Sequence, residues 1–145
     1  MVDRDRSLAE LGLTIAPEAQ APAPVLEPLI AYVRGHATGD PAYFRRAFRP
    51  SAHVEGIRDG QFVSWPVDTY CDRFTGQPAE DESTRRRRLD LVRVESTIAV
   101  ATLTLHHGPD HFTDMFVLLE QDGEWRIANK VYHRAPADAA SAPNQ

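Results

Sequence analysis

The sequence predicts one α+β domain, with helices packed on a strongly curved, mainly antiparallel sheet. Three observations carry that prediction. Apolar residues recur at helical spacing only early in the chain, at Leu26, Leu29, Ile30, Val33 and Ala37. From His53 onward the pattern changes to runs with strand chemistry, of which the last four are long: Arg86–Glu95, Thr97–His107, His111–Gln121 and Glu124–Arg134. The links between those four are short (Ser96-Thr97, Gly108-Pro109-Asp110 and Asp122-Gly123), so consecutive strands should lie antiparallel in a meander. Helices first and a sheet after them is the segregated arrangement of the α+β class.

The elements follow in order. Residues 1–24 are rich in Ala and Pro after a charged start, and read as a flexible or partly helical arm with a linker. Leu8, Leu11, Leu13 and Ile15 are interrupted by Glu10, Gly12 and Thr14, so they do not form the continuous apolar stretch of a secretory signal. The domain proper is expected over 25–134. Its first helix should end at Gly39, which can adopt the left-handed conformation of a helix C-terminus. Asp40-Pro41 starts a second helix, Pro41–Phe48, with Asp40 as its N-cap and Pro41 at its first position. His53–Arg58 and Gln61–Trp65 flank Asp59-Gly60, the dipeptide that suits the tight turn of a β-hairpin. Ser64–Thr75 reads as a third helix, with Pro66 near its start and Gly76 and Pro78 beyond its end. Residues 135–145 hold nothing to bury and are expected to be disordered.

Composition narrows the classes of function. Sixteen Lys and Arg stand against 21 Asp and Glu, a net charge of −5, which disfavours a generic nucleic-acid binder. The one dense basic run, Arg85-Arg86-Arg87-Arg88, follows Glu80-Asp81-Glu82 and reads as a strand start balanced by its own loop. Thr97–Leu105, the longest uncharged apolar stretch, covers about half a membrane span, so no membrane helix is expected. A single cysteine, Cys71, excludes an internal disulfide, and a cytoplasmic location is expected. His106, His107 and His111 cluster near Gly108, but neighbours on a strand face opposite ways, so no metal site is assigned. No phosphate loop, nucleophile elbow or dinucleotide fingerprint is present, and no cofactor is expected. Any chemistry must come from carboxylate, tyrosine, lysine and histidine side chains.

Several segments carry a family resemblance. They are Tyr32-Val33-Arg34-Gly35 leading to Gly39-Asp40, Ala47-Phe48-Arg49-Pro50-Ser51-Ala52, Gly56-Ile57-Arg58-Asp59-Gly60, Phe112-Thr113-Asp114, and Asp122 to His133. In this order and spacing the chain resembles the cone-shaped nuclear transport factor 2-like superfamily. Within it, the chain looks like the SnoaL-like proteins described as putative lumazine-binding. The resemblance implies a homodimer built through the sheet and a deep apolar pocket inside each cone, taking a small hydrophobic ligand. It implies no single reaction, since members include isomerases, cyclases, dehydratases, epoxide hydrolases and non-enzymes. No residue here argues for a pteridine ligand.

The ketosteroid isomerases of that superfamily give the sharpest comparison. They use a carboxylate base with a tyrosine and a protonated aspartic acid around an apolar pocket. The resemblance places Tyr32 at the oxyanion-holding tyrosine and Asp114 within a residue of the neutral acid, but puts Gly56 at the base. Glu55 is adjacent, on the opposite strand face. Asp114 shares a face with Phe112 and Phe116, where a carboxylate must be paired, hydrogen-bonded or protonated. It can therefore be a functional acid or a structural partner.

Tyr32, Asp114, Glu55 and His53 are the catalytic candidates, the last because histidine titrates near neutrality; His133 shares that argument. Phe48, Trp65, Tyr70, Phe74, Phe112, Phe116, Asn129, Lys130 and Tyr132 are the candidate ligand contacts. Strict alternation puts Asn129 with Trp125 and Ile127, and Lys130 with Ala128 and Tyr132. Hydrophobicity turns the first set inward and the resemblance the second, and the sequence leaves this open. Lys130 would be an anchor for an acidic ligand, a base, or the ion-pair partner of Asp114. Two functions remain: a cofactor-free acid/base enzyme of isomerase, dehydratase or cyclase type, or a non-catalytic ligand carrier or interaction domain.

Overall fold

The computed structural model describes residues 8–136. Seven strands form one sheet: β1 (Leu13–Ile15), β2 (His53–Arg58), β3 (Gln61–Pro66), β4 (Arg86–Glu95), β5 (Ile98–His107), β6 (Asp110–Gln121) and β7 (Glu124–Pro136). Their spatial order is β1-β4-β5-β6-β7-β2-β3. β4 to β7 make the expected antiparallel meander, and the β2–β3 hairpin joins it through a parallel pairing of β2 with β7. Among the described residues the longer helical elements are α1 (Ala23–Thr38), α2 (Pro41–Ala47) and α3 (Val67–Cys71).

The helix hairpin forms where the local chemistry demands it. α1 stops at Gly39, whose φ of 73° places it in the left-handed region and whose N–H donates to Gly35 O. An added Cβ there would lie 2.1 Å from Gln77 O, so only glycine fits. The Asp40 carboxylate then accepts from Ala42 N, capping α2 at 2.9 Å. Asp59 and Gly60 both have positive φ and turn the β2–β3 hairpin as expected. Leu26, Leu29 and Tyr32 of α1, with Phe44 of α2 and Phe48 just beyond its end, pack against Leu103, Phe116, Leu118 and Ile127 of the sheet.

Three expectations need correction. The third helix does not begin at Ser64 or reach Thr75. Ser64 and Trp65 pair with Glu55 and Val54, and the helix occupies only Val67–Cys71. The N-terminal segment is partly helical, at residues 8–10 and Pro17–Ala19, but it packs into the domain, because β1 pairs in parallel with β4 at the edge of the sheet and Leu8, Leu11 and Leu13 are buried. β7 extends to Pro136, so the expected disordered tail loses its first two residues to a strand; residues 1–7 and 137–145 lie outside the described residues.

Two bulges set the phase of the sheet. In β4 the register slips between Leu89 and Leu91, so Leu89 is buried while Leu91 is exposed. In β7 the slip lies opposite Val117 and Leu118, which pair with Asn129 and Ile127, leaving Ala128 as the extra residue. Ile127 and Lys130 consequently both point inward, and Asn129 points outward. Strict alternation cannot produce that arrangement.

The arginine run is balanced much as its sequence suggests. Arg85 pairs with Asp81, Arg88 with Asp90, and the buried Arg87 grips Glu82 with both terminal nitrogens while donating to Leu11 O. Among the described residues no helix is long and apolar enough to cross a membrane.

Candidate functional site

A cavity of about 210 Å3 opens between α1, α3 and the inner face of β2, β5, β6 and β7. Its floor is a connected polar group, walled by aromatic side chains and by Arg58, Arg73 and Arg85. α1 delivers Tyr32 and, one turn later on the same face, His36. β6 delivers Asp114 between the inward-facing Phe112 and Phe116, and β7 delivers Lys130 and Tyr132. α3 brings Tyr70 over the top.

The hydrogen bonds form one line. Tyr32 Oη donates to Asp114 Oδ2 at 2.8 Å, and Lys130 Nζ donates to Tyr32 Oη in a short contact. Lys130 Nζ also lies 3.4 Å from Asp114 Oδ2. His36 Nε2 sits 2.9 Å from Tyr32 Oη and 2.8 Å from Tyr70 Oη. His36 Nε2 thus joins the two phenols, as donor or acceptor according to its tautomer. The Lys130 ammonium or amine is ringed by aromatic faces, 4.7 Å from the Tyr32 centroid, 5.3 Å from that of Tyr132 and 5.4 Å from that of Tyr70.

Burial governs the electrostatics here. Asp114 is 1% exposed and Lys130 4%. Loss of water raises the Asp114 pKa, against the pull of Lys130 and the Tyr32 hydrogen bond. The same loss lowers the Lys130 pKa, against Asp114. Both shifts favour the neutral acid and the neutral amine. Burial, then Asp114, raises Tyr32 well above its usual value. Burial, then Lys130, lowers His36, and burial, then Arg85 and Arg87, brings His107 down to about 3. Two polar atoms on the cavity wall have no partner among the described residues, Tyr132 Oη and His107 Nε2.

The cavity therefore gathers Tyr32, Asp114, Lys130, Tyr132, Trp65, Tyr70, Phe74 and Phe112 from the predicted candidates. Phe48 and Phe116 lie beneath it, their rings 5.9 and 5.0 Å from that of Tyr32, and support the floor without lining it. His53, Glu55 and Asn129 are elsewhere, on the outer face of the sheet. Asn129 Oδ1 accepts from His53 N at 2.8 Å, and Glu55 accepts from Ser64 Oγ and Asn129 Nδ2. His133 faces outward with them, opposite Thr113. At Gly56 an added Cβ would lie 2.8 Å from both the ring and the carbonyl oxygen of Tyr132. Tyr132 thus occupies the space that a side chain at the isomerase base position would need.

Some residues of the site were not singled out in the sequence. His36 was detectable, since it lies four residues after Tyr32 on a helix. His107 follows Leu103 and Leu105 in strand alternation, which signals an inward face rather than an exposed turn. Arg58, Arg73 and Arg85 also line the cavity, and no sequence-local signal brings them together.

The comparisons agree with this architecture. A family model described as putative lumazine-binding matches residues 20–133. The chain belongs to that family. This member of the putative lumazine-binding family is 25% identical over 114 residues to a protein named Aldolase FrzH from Cladobotryum sp, across 77% of this chain and 90% of that one. It is similar in structure to an NTF2-like protein of unknown function from Shewanella baltica, with TM-score 0.70 and 25% identity over 78% of this chain and 92% of that one. An NTF2-like protein of unknown function from Methylobacillus flagellatus gives TM-score 0.67 at 23% identity, over 81% and 97% of the two chains. The family and the cone-shaped nuclear transport factor 2-like fold are thereby shown.

Proposed function

We propose that this chain is a cofactor-independent enzyme that moves a proton at the carbon next to a carbonyl group of a small, largely apolar substrate. The observation that carries the reading is the Lys130–Tyr32–Asp114 line, which joins a buried amine to a buried carboxyl through one phenol on the cavity floor. Lys130 as a neutral amine takes the α-proton, and the electron pair left on carbon moves onto the carbonyl oxygen. Asp114, whose pKa burial raises, holds Tyr32 by accepting its hydrogen bond, and the ammonium formed on Lys130 balances the charge of the enolate. Tyr132 Oη and His107 Nε2, buried without partners, are available to the substrate's oxygen.

The resulting enolate is common to several outcomes. Returning the proton from Lys130 to another carbon is isomerisation; giving it to a departing β-hydroxyl, which leaves as water, is dehydration; and attack on a second carbonyl, whose oxygen then takes the proton, forms an aldol. The relative named an aldolase favours the last of these. The test is deuterium exchange at the α-carbon of 2-tetralone in D2O, followed by proton NMR. Wild type should exchange the position, and Lys130→Met and Asp114→Asn should each slow it by about 100-fold or more. Saturable binding of 2-tetralone without exchange would make the protein a carrier instead.

The outer face of the sheet supports the homodimer that the family resemblance implies. Ile98, Val100, Met115, Val117 and Val131 are exposed there, Ile98 at 57% and Met115 at 55%. Contiguous apolar surface of this kind is a feature of subunit contacts. Sedimentation should report a dimer for wild type and a monomer for Met115→Glu/Val117→Lys; a monomeric wild type would overturn the reading.

A further inference from the structure

We infer that the substrate is an acid: a carbonyl compound whose carboxylate is held at the cavity mouth by Arg58 and Arg73, while its carbonyl faces Lys130 and Tyr32. The inference rests on the carbonyl chemistry proposed for the inner end of the cavity and adds the outer end.

The first support is charge. The cavity wall carries three arginines, Arg58, Arg73 and Arg85, besides the Lys130 amine, against a single acidic side chain, Asp114. This occurs in a chain whose net charge is −5, so the basic lining runs opposite to the whole molecule. A cleft lined by one sign of charge concentrates ligands of the other sign.

The second support is which cations are already engaged. Lys130 is held by Asp114 and Tyr32, and Arg85 by Asp81 at 3.0 Å. Arg58 and Arg73 have no carboxylate within ion-pairing distance among the described residues, and neither donates a hydrogen bond to one of them. Arg73 sits over Trp65, its guanidinium carbon 4.4 Å from the ring centroid, which holds the group at the wall. Arg73 is exposed and Arg58 half-buried, whereas Tyr32 and Lys130 are buried, so the two arginines mark the open end.

The third support is size. The cavity, about 210 Å3, is smaller than the roughly 300–1,000 Å3 typical of pockets for drug-sized ligands. A single-ring or short-chain acid fits these dimensions, with one end at the arginines and the other at the amine.

Titration calorimetry with phenylpyruvate and its methyl ester tests the inference. The two probes share the ketone and the ring and differ in the charge. Phenylpyruvate should bind about tenfold or more tightly than the ester, as expected for charge-assisted hydrogen bonds. Added salt should weaken the acid and not the ester. Arg58→Gln/Arg73→Gln should bring the two affinities together by weakening the acid alone. Because neither arginine is ion-paired to another part of the described chain, the variant should melt close to wild type. An acid affinity that does not respond to salt would also overturn the inference, independently of that variant.

Equal affinity of acid and ester, or a preference that survives the double substitution, overturns the inference and leaves the carbonyl reading intact. A preference for the acid without α-proton exchange in either probe retains the arginine clamp and sinks the proton-transfer reading. Failure of both probes to bind removes both.

Discussion

The two faces of this sheet carry two polar clusters back to back, and they obey opposite rules. On the inner face the buried Asp114 meets Lys130 and Tyr32, and its pKa is raised because burial outweighs its partners. On the outer face Glu55 meets Ser64 and Asn129, and its pKa is lowered because those hydrogen bonds, Ser64 first, outweigh what little burial there is. Both carboxylates accept hydrogen bonds from a hydroxyl. Exposure to solvent, rather than the inventory of donors, decides which pKa rises and which falls. The sign for stability follows. Asp114, with its raised pKa, contributes stability at low pH that is lost as pH rises through its folded value. Glu55, with its lowered pKa, contributes stability above its unfolded value that is lost as pH falls.

The contrast breaks most easily at Asp114. Asp114→Ala should cost about 3 kcal/mol in urea denaturation, since it leaves Tyr32 without its acceptor and Lys130 without its partner. Asp114→Leu/Lys130→Met should recover much of that loss, because a well-packed apolar pair replaces a buried polar pair at little cost. A double variant no more stable than Asp114→Ala would show that packing, not electrostatics, dominates the inner cluster. A smaller effect is expected at His107. Its pKa falls from 6.5 to about 3 through burial, so its contribution is complete above pH 6.5 and is lost as pH drops toward 3. His107→Gln should make the acid limb of the stability profile shallower across that window, and an unchanged slope would mean that the ring is solvated. The smallest effect belongs to the outer cluster. Glu55→Gln should leave both the melting temperature and 2-tetralone binding close to wild type, and a loss of binding would place Glu55 in the site after all.

Much of this fold was legible because its punctuation is local. Gly39-Asp40-Pro41, Asp59-Gly60 and Asp122-Gly123 each act through their own backbone, and each turn forms where its residues predict. The limits of α3 were hidden because Ser64 and Trp65 suit either a helix or a strand, and pairing with β2 decides between them. The site was legible where chemistry and alternation coincide, at Asp114 beside Phe112 and Phe116. Placing His53 and Glu55 at the site failed because β2 shows its inner face through Val54 and Arg58 instead. The arginine run illustrates a different difficulty. Its balance by nearby acids was readable, yet Arg85 also reaches the cavity wall, a contact that only the assembled sheet creates.

Ala128 has a consequence for how such pockets are compared between relatives. With the extra residue in place, the amine stands three positions after Ile127 and on the same side of the sheet. In a relative whose last strand runs without a bulge, the equivalent inward place comes only two positions after the isoleucine's counterpart. An ungapped alignment anchored on Trp125-Arg126-Ile127 would therefore set Lys130 against a residue that faces away from the pocket. A lysine shared in that column would match in letter and not in whereabouts, whereas a relative with a lysine one column earlier would hold the same amine and be scored as lacking it. The family's pocket chemistry is thus properly tallied by length as well as by letter.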